Sequence, residues 1–241
     1  MGKIKLFYPT LALAVSLTAF AGFAFTYFGP LAAGTYPPVS WAVHAHGVVY
    51  LAWCAFLPAQ AALASGALNV HRALGFGSLV LAAAMAFTGF LVIGVKMQEA
   101  LNGEGPAFWK AFGVPIATDL VIFIGFYSAA LLNRRRPDWH KRLMIIAAAT
   151  VISAATWRLW VAAFGFHDWA MPAALASMKI FIVAGILHDL ASRRTIHPAW
   201  WVGLAVSGGV EAVSFVIVGT PLEAPVVHAI AGFADLFGWM Y

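Results

Sequence analysis

The chain has 241 residues, of which 63% are hydrophobic and 10% are charged, with a formal net charge of +5. A soluble domain carries about half apolar and about a quarter charged residues, so a soluble fold is excluded: it would leave too much apolar surface in water. The positive balance does not point to nucleic acid, because most of the Lys and Arg lie in short stretches between apolar runs, where they set membrane topology.

A helix needs about 20 apolar residues to cross the hydrocarbon core. The runs predict about seven such helices: an all-α polytopic transmembrane bundle, with residues 1–241 as a single transmembrane domain. The first segment spans Tyr8 to Phe28 and stops at Gly29-Pro30. Lys3 and Lys5 precede it, but the run outlasts the roughly 7–15 apolar residues of a signal peptide, so an uncleaved first helix is expected. The second spans Ser40 to Ala64, with a kink expected at Pro58, and the third spans His71 to Val95. A polar loop from Lys96 to Lys110 leads to the fourth, Phe112 to Leu132. The fifth spans Arg142 to Phe164, the sixth Ala170 to Leu190 and the seventh Trp200 to Val218. Residues 222–241 contain a final short segment, Pro225 to Tyr241, expected at the membrane interface.

Lys3, Lys5, Arg72, Arg134-Arg135-Arg136, Lys141-Arg142 and Arg193-Arg194 all fall in one set of loops. The positive-inside rule therefore predicts the N-terminus inside and the C-terminus outside. Tyr36, Trp41, Trp109, Trp139, Trp169, Trp200, Trp201 and Trp239 lie near predicted helix ends, as an aromatic belt would. The single cysteine, Cys54, has no partner for an intrachain disulfide.

Ionisable side chains inside a membrane are expensive and face the bundle interior. His44, His46, Asp119, Arg158, Lys179 and Glu211 form such an intramembrane polar set. At about 1.5 Å per residue, Asp119 and Arg158 lie about 10 Å below the outer edge, with Lys179 and Glu211 nearer the middle. One reading is a polar pocket for an anionic headgroup, a metal or a small substrate; the other is a salt-bridge network that fixes helix packing, with Asp119 and Arg158 as its natural pair. His46, Tyr50, Trp53, Leu57 and Gln60 share one helix face. His44 and His46 point apart by about 200° and do not share a metal on a regular helix.

A second group, His71, His140, His188 and His197, lies at the inner face. Bis-histidine haem ligation needs two imidazoles at one depth on neighbouring helices. His71, His140 and His188 satisfy the depth condition, with Arg72, Lys141 and Arg142 available for the propionates; His46 is a further candidate ligand at the other face. The alternative is that these histidines are loop-edge residues of the basic belt. No HExxH, GxSxG or clustered HxxHH motif occurs. Lys179 lies one segment early for a retinal Schiff base in the last helix.

The stretches VHAHGVVYLAWCAFLPAQAAL, NVHRALGFGSLVLAAAM, RRRPDWHKRLMIIAA and HDLASRRTIHPAWW together resemble an uncharacterised family of bacterial multipass inner-membrane proteins. The resemblance covers Trp41 to Trp201. It singles out His46, Gln60, His71-Arg72 with Gly75, His140-Lys141-Arg142, Arg158, Asp189 and His197-Pro198, and it implies the topology but no activity. Lys179 is outside its pattern.

The expectation is an integral protein of the bacterial inner membrane, associated with haem b or a metal ion, in a redox or electron-transfer role. The alternatives are an accessory or structural subunit of a larger membrane complex, and a lipid-modifying enzyme or transporter using the outer pocket. The expected partners are the lipid bilayer and other membrane subunits, and not nucleic acid.

Overall fold

A computed structural model describes residues 2–106 and 108–241, with side chains from residue 6 onward. The side chains of Lys3 and Lys5, part of the topology argument, lie outside the described residues.

The described residues are helical almost throughout. In chain order the elements are α1 (Gly2–Phe23), a π-helical turn (Ala24–Phe28), α2 (Gly29–Ala32), α3 (Trp41–Gly66), α4 (Leu68–Gly75), α5 (Gly77–Leu101), α6 (Phe108–Leu132), α7 (Pro137–Thr150), α8 (Ser153–Phe164), α9 (Ala170–Met178), α10 (Ile180–Arg193), α11 (Pro198–Ile217) and α12 (Glu223–Asp235). Among the described residues, six stretches are long and apolar enough to cross a membrane, and α7 with α8, bent by 49°, makes a seventh if counted as one span. Valines and leucines on the outer surface, such as Leu17, Val80, Val121 and Val213, are exposed, as suits faces solvated by lipid tails. The protein is an integral membrane protein with an all-α polytopic bundle.

Several spans are broken where one continuous helix was expected. The third segment divides at Phe76, so that His71 sits on the short α4 and the long span begins at Gly77. The fifth breaks at Val151 and Ile152. Thr150, Val151 and Ile152 are β-branched in succession, which disfavours helix, and the Thr150 hydroxyl donates to the Ala147 carbonyl at 2.8 Å, competing with the helical ladder. The sixth breaks at Lys179, between α9 and α10. Pro58, in contrast, lies inside a continuous α3. The C-terminal α12 has 13 residues, too few to span about 30 Å at about 1.5 Å per residue. It packs on α5, where Gln98 Nε2 donates to the Ala231 carbonyl at 3.0 Å.

The core is filled by Met85, Phe123, Ile146, Ile182 and Trp200 together with many alanines. Small residues allow close helix approach, which in lipid replaces the hydrophobic effect as the source of packing energy. Gly22 on α1 faces α8, where an added Cβ would stand 2.6 Å from the Ala155 Cα. Trp200 departs from the aromatic belt: its ring is fully buried against Gly185, not at the interface. Trp41, Trp169, Trp201 and Trp239 are exposed, as a belt requires.

Candidate functional site: two polar zones in the bundle

The arginine-rich end holds a buried ionic knot. Arg142 on α7 is 1% exposed and Asp189 on α10 is 0% exposed. Arg142 Nε donates to Asp189 Oδ2 at 3.1 Å, and Nη2 donates to Asp189 Oδ1. Nη1 reaches the Asp138 carbonyl at 2.8 Å. Asp189 Oδ2 also accepts from the His197 backbone N–H at 3.1 Å and from Trp200 Nε1 at 3.0 Å. The knot joins α7, α10, the loop after α10 and α11. Its donors and acceptors are mutually satisfied, as a buried charge pair requires to persist, so Arg142 is committed to Asp189 and is not free for a propionate as expected. Burial and then the Arg142 cation hold the His197 imidazole below its usual range, and its Nδ1 accepts the Ala199 N–H at 3.2 Å as the cap of α11.

Beside the knot, His71 on α4 and His140 on α7 face each other with ring centroids 6.3 Å apart and planes at 80°. His71 Nδ1 lies 3.1 Å from the Gln60 carbonyl and His140 Nδ1 lies 2.8 Å from the Ala130 carbonyl. A carbonyl only accepts, so Nδ1 carries the proton in both rings. A neutral ring then presents its lone pair at Nε2. Gln60 itself is buried, and neither its amide nitrogen nor its amide oxygen has a hydrogen-bond partner among the described residues. Gly75, four residues after His71 and so on the same face of α4, borders open space. Arg72 is exposed alongside.

His188 and His46 are not part of this pair. The His188 ring stacks on Phe7 at 3.7 Å, and His46 lies near the start of α3, towards the other end of the bundle. Among the described residues no group of three or more His, Cys, Asp or Glu side chains comes together.

The polar residues of the middle and the opposite end divide into separate groups. Lys179, at the break between α9 and α10, bonds Glu211 on α11 at 2.5 Å. Asp119 on α6 is 2% exposed, and neither carboxylate oxygen makes a well-formed hydrogen bond among the described residues, although the Ser153 hydroxyl lies close enough to act on it. Tyr50, Ser153, Lys179 and Glu211 are within its electrostatic range. Because α6 begins at Phe108, Asp119 lies about 16 Å into its helix, deeper than expected. It does not pair with Arg158. Arg158 on α8 instead donates from Nε to Thr26 Oγ1 at 3.0 Å and from Nη1 to the Ala154 carbonyl at 2.8 Å, and lies 4.4 Å over the Phe23 ring.

His44 and His46 diverge as expected. His44 Nδ1 is 3.0 Å from the Tyr27 hydroxyl, whereas His46 packs against Tyr50 with ring centroids 4.2 Å apart and planes tilted by 38°, and its Nδ1 has no hydrogen-bond partner among the described residues. Trp53, Leu57 and Gln60 are buried on the same face of α3. Sequence reasoning missed Thr26 and Tyr27, the partners of Arg158 and His44. Their signal was faint: the first run also carries Thr10, Ser16 and Thr18, so nothing in the sequence set Thr26 and Tyr27 apart. No family model, no curated protein and no solved structure matches the chain.

Proposed function

We propose that this is an inner-membrane redox protein in which His71 and His140 hold a haem b iron, or a single metal ion, between their Nε2 atoms at the arginine-rich, inner end. The observation that carries the reading is the geometry of the pair. The two rings stand 6.3 Å apart, close enough that both imidazoles would reach one metal ion at about 2.0 Å each. Metal-bound histidines characteristically donate their other ring N–H to a carbonyl or carboxylate, which fixes tautomer and orientation; both rings make that bond. A haem so held supplies one-electron redox chemistry.

The chain's own contribution is to orient the rings and shape the environment. The Gln60 and Ala130 carbonyls set the tautomers, and the buried Gln60 amide offers a donor and an acceptor beside the pair. Arg72 provides a cation at the edge for an acidic substituent.

An absorption spectrum with iron and metal analysis of the purified protein tests this reading. A Soret band that is lost in His71→Ala and in His140→Ala but retained in His188→Ala is the expected result. Stoichiometric metal without a Soret band, lost in the same two variants, would identify the single-ion form. A colourless, metal-free preparation from cells supplied with haem and metals sinks both.

A further inference from the structure

We propose that Arg158 and Thr26 form a binding site for a phosphate ester at the end of the bundle opposite the arginine-rich loops, at its lipid-facing surface. Arg158 is a cation within a membrane span, and none of the ion pairs among the described residues includes it. Lys179, a cation nearer the middle of the spans, has Glu211 as its counter-ion. An Arg within a span and outside any ion pair is costly, and a bound anion offsets that cost.

The geometry presents donors to such an anion. Phe23 covers the guanidinium face and Thr26 takes its Nε–H, which leaves the Nη2 edge without a hydrogen-bond partner among the described residues. The Thr26 hydroxyl accepts from Arg158, so its own hydrogen remains available to a second acceptor. Guanidinium edge and hydroxyl are therefore adjacent donors, a pattern that suits phosphate oxygens.

The backbone is shaped for this contact. Thr26 sits in the π-helical turn Ala24–Phe28, the one departure from α-helical geometry in the first span. Such single turns widen a helix locally and are found frequently at functional sites. Thr26 and Phe25 are exposed on the outside of the bundle. Arg158 lies six residues from the end of α8, about 9 Å, near the headgroup layer that flanks the hydrocarbon core, with Nη1 turned back to the Ala154 carbonyl. The phosphate is therefore that of a phospholipid headgroup or of a soluble phosphate ester entering from the same side. This site is independent of the histidine pair.

The test uses the whole protein purified in detergent. Phosphatidylglycerol, diacylglycerol (the same tails without phosphate) and inorganic phosphate are each added, and bound lipid is counted by native mass spectrometry alongside the thermal midpoint. The background is Arg134→Gln, Arg135→Gln, Arg136→Gln, which removes lipid held by the basic loop. Retention of phosphatidylglycerol over diacylglycerol is expected, weakened about tenfold by Arg158→Gln and several-fold by Thr26→Val. That result assigns a lipid headgroup. A rise in thermal midpoint with inorganic phosphate, absent in the same variants, assigns a soluble ester. If Arg158→Gln does not fold, Thr26→Val, which keeps the cation, decides. Equal retention of both lipids by wild type, or phosphatidylglycerol binding unaltered in the variants, with no effect of phosphate, overturns the proposal.

Discussion

Arg142 and Asp189 are 47 residues apart in sequence and meet through two parallel hydrogen bonds with almost no exposure of either side chain. The pair ties the start of one broken span to the end of another, and it draws in the Trp200 indole and the His197 backbone. It sits within the chain's most basic region, yet it is a fastening and not a surface charge. Removing one partner strands a buried charge, which costs about 3–5 kcal/mol. Arg142→Ala and Asp189→Ala are each expected to lower stability by that order, and Arg142→Met with Asp189→Leu to recover much of the loss. Thermal unfolding in detergent measures this; equal stability of single variants and wild type would refute it.

The fit of Trp200 against Gly185 makes a second prediction. A Cβ added at Gly185 would overlap the Trp200 ring. Gly185→Ala is expected to destabilise by about 1–3 kcal/mol, the usual cost of overpacking. Trp200→Phe in the same chain should relieve part of that cost, although it gives up the indole bond to Asp189. A double variant no more stable than Gly185→Ala alone would show that the clash is not the cause.

Lys179, Glu211 and Asp119 respond differently to neutralisation. Glu211→Gln leaves Lys179 without its counter-ion and should cost about 3 kcal/mol or more. Asp119→Asn removes a buried carboxylate that forms no ion pair among the described residues and keeps an oxygen acceptor facing Ser153, so stability is expected to hold or rise by about 1 kcal/mol. Chemical or thermal unfolding of the two variants side by side measures the contrast. A loss for Asp119→Asn as large as that for Glu211→Gln would assign Asp119 to the ionic network.

Acidification should loosen the start of α11. His197 Nδ1 must be unprotonated to accept the Ala199 N–H, and burial followed by Arg142 lowers its pKa. Its folded value therefore lies below the unfolded one of about 6.5. The contribution is fully present above that pH and is lost as pH falls towards and through the folded value. A loss of about 1 kcal/mol, the worth of a helix cap, is expected between neutral pH and pH ~5. His197→Asn, which caps without titrating, should flatten that part of the stability profile; an unchanged slope would exclude His197 as its source.

The histidine candidates show how far the sequence reaches. Depth along a helix is legible from position, and it offers His71, His140 and His188 as candidates for a bis-histidine pair. Azimuth is not legible, because spans that are apolar all round carry little periodic signal of which side faces inward. The structure turns His188 onto Phe7 and brings His71 and His140 together. The same limit separated Asp119 from Arg158, whose depths and charges had made them a natural pair.

Membrane residence, the approximate number of spans and the loops that carry positive charge were determined by the sequence alone, because hydropathy over about 20 residues is a local property. The tertiary structure alone decided the breaks at Phe76, Ile152 and Lys179, the partners of each buried charge, and the placement of Trp200 in the core. These depend on helix rotation and close packing, which arise from contacts between segments far apart in the chain. The outline of the bundle is thus written in composition, while its chemistry is set by which faces meet.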